Sequence, residues 1–136
     1  MSSSEEKKKI LETFNNHFCE MVEDFHRIFP NDTTVSMMNK SLSIIMMMSK
    51  KQVLQVFKTS TVDVYSKKIE DGDLSFFIDK NYKEDVTNGG YSTDVVLEKI
   101  DYIKGLVKEM TEQEQNNVIK YFQNLTLLCK MYYDDE

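Results

Sequence analysis

The apolar residues of this chain recur every three or four positions, and that spacing predicts helices almost throughout. From Ile10 to Phe29 a stripe runs through Ile10, Phe14, Phe18, Met21, Phe25 and Phe29, while Glu12, Asn16, Cys19, Glu20 and Glu23 take the opposite side. At 100° per residue this is an amphipathic helix with one face toward a core. Pro30 ends it, because the residue before a proline is pushed out of helical geometry, and Asn31 or Asp32 can cap the next helix. That second helix, Thr33 to Met48, carries Val35, Met38, Leu42, Ile45 and Met46 on one side and Met37, Ile44 and Met48 on the other. Apolar residues nearly all round imply that its C-terminal half is sandwiched between neighbours.

Ser49 is positioned to cap a third helix from Lys50 to Ile69, with Val53, Phe57, Thr61 and Val64 as its inward stripe. Gly72 can take positive φ and stop it. The segment Leu74 to Ile78 reads as one turn or an extended plug that closes the end of the core with Phe76 and Phe77. Residues 80–92, with Asn81, Asn88, Gly89 and Gly90, read as a loop. A fourth long helix follows from Thr93 to Met110, with Val96, Ile100, Ile103 and Val107 in line. Thr111 and Glu114 then match a capping box, in which the hydroxyl and the carboxylate satisfy amides at a helix start. The last helix, to about Tyr132, presents Val118, Phe122, Leu125, Cys129 and Tyr132 inward and leaves Ile119, Leu127 and Met131 off the stripe. The expected fold is all-α, a single-domain bundle of about five helices over residues 1–136, frayed at 1–8 and 133–136.

Composition narrows the functional classes. The 136 residues are 40% hydrophobic and 29% charged, enough apolar side chain for one core and too much for a disordered chain. Seventeen basic against 23 acidic residues leave a net charge of −6, which disfavours unspecific attraction to nucleic acid or anionic membranes. No run approaches the ~20 apolar residues of a membrane span, and MSSSEEKKK has no signal-peptide core, so an intracellular, non-secreted product without a membrane partner is expected. Cys19 and Cys129 read as two reduced thiols. Ala and Trp are missing, and Arg27 stands alone against 16 Lys, a bias that fits an AT-rich genome.

Chemistry is harder to find. His17 and His26, the only imidazoles, sit about 180° apart and some 13 Å along one helix, too far to share a metal ion. His17 with Glu20 is a two-ligand pair that would need further ligands from elsewhere. Cys129 lies on a core stripe and Cys19 on a polar face, so no thiol–imidazole pair is expected. Nucleophile-elbow, Walker and zincin motifs are missing. Glu70, Asp71, Asp73 and Asp79 lack calcium-loop spacing and read as solvated surface. The expectation is therefore a non-enzyme with no catalytic, cofactor or metal residues, no cofactor and no small-molecule substrate. Met37, Ile44, Met48, Ile119, Leu127 and Met131 are left as adaptable apolar side chains that either fill a core or face a partner protein or a second copy. The alternative is a nucleic-acid-associated factor that uses Lys50, Lys51, Lys67 and Lys68, which requires those cations to converge on one face.

The stretches FNNHFCEMVEDFHRIFPND (14–32), SKKQVLQVFKTSTVDVYSKKIEDGDLSFFIDKNY (49–82), LEKIDYIKGLVKEM (97–110) and VIKYFQNLTLLCKMY (118–132) resemble small all-helical proteins of large nucleocytoplasmic DNA viruses, of the phycodnavirus and mimivirus kind. The most specific pieces are Phe29-Pro30-Asn31-Asp32, Phe76-Phe77 after an acidic turn, and Tyr121 with Leu125. The resemblance implies a viral setting, in the infected-cell cytoplasm, a virus factory or the virion, and implies no reaction.

Overall fold

The computed structural model describes residues 4–83 and 93–134, with side chains given except at 93–96. Most of the expected loop at 80–92, and Val96 of the fourth stripe, lie outside what is described. The described chain is all-α: α1 (Ser4–Ile28), α2 (Thr33–Met48), α3 (Gln52–Phe57), a π-helical turn (Lys58–Val62), α4 (Asp63–Glu70), α5 (Leu74–Asp79), α6 (Thr93–Glu109) and α7 (Glu112–Tyr133). Among the described residues there is no strand, and no helix is long and apolar enough to cross a membrane. The chain divides into two compact units, residues 1–66 with 121–136 and residues 67–120.

Helix ends follow from local chemistry. Glu5 and Glu6 occupy the first turn of α1 and Arg27 its last, charges that oppose the helix dipole. Residues 4–8, expected to fray, form that first turn. Asp32 caps α2 by accepting from the Val35 N–H at 2.9 Å. Ser49 ends α2 in extended conformation and does not cap the next helix: α3 starts at Gln52, and Lys51 before it makes no side-chain cap. Gly72, at φ 72°, closes α4 with a Schellman pair, Gly72 N–H to Ile69 C=O (2.9 Å) and Asp73 N–H to Lys68 C=O (3.2 Å). Asp73 then caps α5 through Phe76 N–H. The expected plug is therefore a six-residue helix, with Phe76 and Phe77 edge-to-face at 5.3 Å and only half-buried.

In the first unit, α1 packs on α2 and α3, and an aromatic cluster joins α1, α3 and α7. Phe57 lies 5.5 Å from Phe14, 6.3 Å from Phe18 and 6.1 Å from Phe122 between ring centroids. Around it Leu11, Val22, Phe25, Val35, Leu54, Leu125 and Cys129 are buried. The π turn changes the stripe expected for the third helix. Thr59 and Ser60 hydroxyls bond back to the carbonyls of Gln55 and Val56, at 3.3 and 2.6 Å, and compete with backbone N–H donors there. The wider turn inserts one residue into the repeat, so the inward series becomes Leu54, Phe57, Val62 and Ile69, and Val64, expected inward, is exposed.

Among the described residues of the second unit, Ile69, Leu106, Val107, Met110 and Val118 are buried. The capping box forms as expected: Thr111 N–H donates to Glu114 Oε1 at 2.9 Å and Glu114 N–H to Thr111 Oγ1 at 3.1 Å. Gln115 also donates to the Val107 carbonyl, which ties the start of α7 to the end of α6.

Candidate functional site

Two features of the first unit have the makings of a site, one polar and one apolar. The polar one lies where α1 meets α7. Tyr121 donates its hydroxyl to Asp24, whose other oxygen is held by Arg27 at 2.6 Å. The His17 ring lies 4.9 Å from the Tyr121 ring, its Nε2 is 3.4 Å from the Asn124 amide nitrogen, and its Nδ1 is 3.6 Å from Glu20. Asp24 and Tyr121 are 97 residues apart, so neither the stripes nor the spacing of α1 reveals this network. Burial, the Asp24 hydrogen bond and the Asp24 charge push the Tyr121 phenol up to about 12. At neutral pH it keeps its proton and acts as a donor to Asp24. Among the described residues no three His, Cys, Asp or Glu side chains gather as a metal would require. The His17–Glu20 pair gains an amide and a phenol as neighbours and no third ligand of that kind.

The thiols separate differently from expectation. Cys129 is fully buried, as its stripe suggested, and desolvation pushes its thiol up to about 11. Cys19, assigned to a polar face, is half-buried, with its Sγ 3.4 Å from Met46 Sδ at the α1–α2 seam. Partial burial and the charges of Glu23 and Glu20 raise its pKa as well. Both are free.

The apolar feature is α2. Contrary to the sandwich expected from its composition, it buries only Val35 and Leu42. Met37, Ile44, Met47 and Met48 are 61%, 58%, 87% and 82% exposed. Helical geometry puts Met37, Ile44 and Met48 about 140–180° from Val35. Ile45 stands about 60° from Leu42 on one side and about 60° from Met48 on the other, so an apolar band runs from the seam out to the free face. At the seam lies a shallow groove of about 380 Å³ lined by Phe18, Leu42, Ile45, Val53, Val56 and Phe57 among others. Of the α7 side chains that either fill a core or face a partner, Leu127 and Met131 are exposed, whereas Ile119, which belongs to the second unit, is half-buried.

The lysines of the nucleic-acid reading fall in different units, Lys50 and Lys51 in the first and Lys67 and Lys68 in the second. Lys68 is engaged inside its own unit, 3.9 Å from Asp73 and 5.0 Å over the Phe76 ring. Comparison with known proteins finds no family model, no curated protein and no solved structure that the chain matches.

Proposed function

We propose that this protein is a non-enzymatic interaction module whose working surface is the outer face of α2, with Leu127 and Met131 as a second, smaller apolar site. The observation that supports this is the position of Met37, Ile44 and Met48, opposite the side by which α2 is already packed. Among the described residues these large apolar side chains are left largely uncovered, and methionine is suited to a partner surface because its flexible thioether repacks readily. The viral setting suggested by the sequence resemblance belongs to the same proposal: a component of a virion or a replication compartment, acting through a viral or host protein.

The double variant Ile44→Asp/Met48→Asp separates a partner face from a core face. Its unfolding free energy should stay within about 0.5 kcal/mol of wild type, as for exposed sites in general. In cells that express the full chain, wild type should migrate in a larger complex on gel filtration and the variant as a free chain. Marked unfolding of the variant would make this a core face, and a wild-type chain that migrates free would remove the module reading.

A further inference from the structure

Charge along the chain is divided unevenly. Residues 33–62, which hold α2, α3 and the π turn, contain Lys40, Lys50, Lys51 and Lys58 and no Asp or Glu. With 17 basic and 23 acidic residues in total, this leaves 13 basic against 23 acidic elsewhere, so a segment of charge +4 stands within a remainder of −10. Lys40, Lys50 and Lys51 are all exposed. Lys40 follows Met37 by three residues and precedes Ile44 by four, which places it along the apolar band; Lys50 and Lys51 stand just past the end of that band at Met48. Lys58 is turned to Asp63 at 2.9 Å and takes no part.

Resting on the interaction reading above, we propose that the α2 face receives an acidic amphipathic helix of a partner protein. Its apolar side chains would lie along Ile45, Ile44, Met48 and Met37, one of them entering the groove beside Ile45, and its carboxylates would meet Lys40, Lys50 and Lys51. The other occupants fit less well. A second copy docked face to face across a two-fold axis would set the same lysines against each other. A planar lipid surface leaves the groove between α2 and α3 unfilled. Nucleic acid would find methyl and thioether groups, not aromatic rings to stack on, in the middle of the cationic border.

The test uses the full chain and two fluorescein-labelled designed helices of about 18 residues, enough to span the ~24 Å of α2. They share one apolar face and differ only in carrying Glu or Lys on its flanks. Fluorescence anisotropy should show the acidic helix bound at least about tenfold more tightly than the basic one, with the preference shrinking as salt rises. Lys40→Glu, Lys50→Glu and Lys51→Glu together should reverse the preference, and Ile44→Asp/Met48→Asp should abolish binding of the acidic helix. Equal or stronger binding of the basic helix, binding of neither, or undiminished binding by the Asp double variant would each overturn the proposal. So would vesicles of phosphatidylcholine with phosphatidylserine, or a single-stranded oligonucleotide, that held the protein against excess acidic helix. If sedimentation of the protein alone revealed a dimer that Met48→Asp dissociates, this inference would fall while the interaction reading stood. With neither peptide binding nor any association sensitive to α2, both would fall.

Discussion

The α1–α7 seam and the outer face of α2 belong to one compact unit and present opposite situations. At the seam every chemically interesting group already has a partner within the chain: Asp24 has Tyr121 and Arg27, and His17 has Asn124 and Glu20. On α2 the large side chains Met37, Ile44, Met47 and Met48 remain exposed. A titratable cluster attracts notice first in a search for function, yet the groups of this one are engaged with one another. The surface left exposed on α2 is apolar, and removing such surface from water is favourable.

The comparison can be broken most forcefully in the aromatic cluster. Phe14 is fully buried between Phe18 and Phe57, so Phe14→Ala should cost about 3–5 kcal/mol in denaturant unfolding, the usual sum of lost transfer energy and residual cavity. A loss no larger than that of the α2 double variant would mean that the two sides of the first unit do not differ as described. The seam is tested by Tyr121→Phe, which removes a hydrogen bond to a carboxylate and should cost about 1–2 kcal/mol near neutral pH, the lower part of the range reflecting its half-exposed setting. Its pH signature is sharper. The folded phenol titrates at about 12 against 10 when unfolded, so the folded state holds its proton longer. The raised pKa leaves its stabilisation complete below pH 10 and removes it as pH climbs toward 12. Wild type should therefore lose stability more steeply than the Phe variant across that window, and parallel slopes would refute the hydrogen bond from Tyr121 to Asp24.

A smaller effect of opposite sign is expected at Thr126, whose hydroxyl is buried without a hydrogen-bond partner among the described residues. Thr126→Val keeps the shape and removes the unsatisfied oxygen, so it should raise stability by about 1 kcal/mol. A destabilised variant would show that the hydroxyl is satisfied in solution.

Local signals were the readable part of the fold. Asp32, Gly72, and Thr111 with Glu114 act within a few residues of themselves, and each does in the structure what its chemistry predicts. The inward positions of α1 and α7 were similarly readable, since Phe14, Phe25, Leu125, Cys129 and Tyr132 are buried. Val64 was misjudged because periodicity assumes one uniform turn, and the hydroxyls of Thr59 and Ser60 widen that turn by a residue. Cys19 was misjudged because a helical wheel places a side chain relative to its own axis and takes no account of a neighbouring helix, here α2 with Met46. Of the site candidates, Met37, Ile44, Met48, Leu127 and Met131 are exposed, and Ile119 is half-buried.

By itself the amino-acid order determined helix type, most helix ends, the absence of acid from 33–62 and the two apolar sides of α2, all properties carried by neighbours three or four residues apart. Only the tertiary structure decided which of those two sides is covered, that Tyr121 reaches Asp24 and that Cys19 meets Met46. Such outcomes depend on how segments distant in the chain share a limited area of contact. One apolar face of α2 obtains that contact from α1 and α3, and the other keeps its exposure.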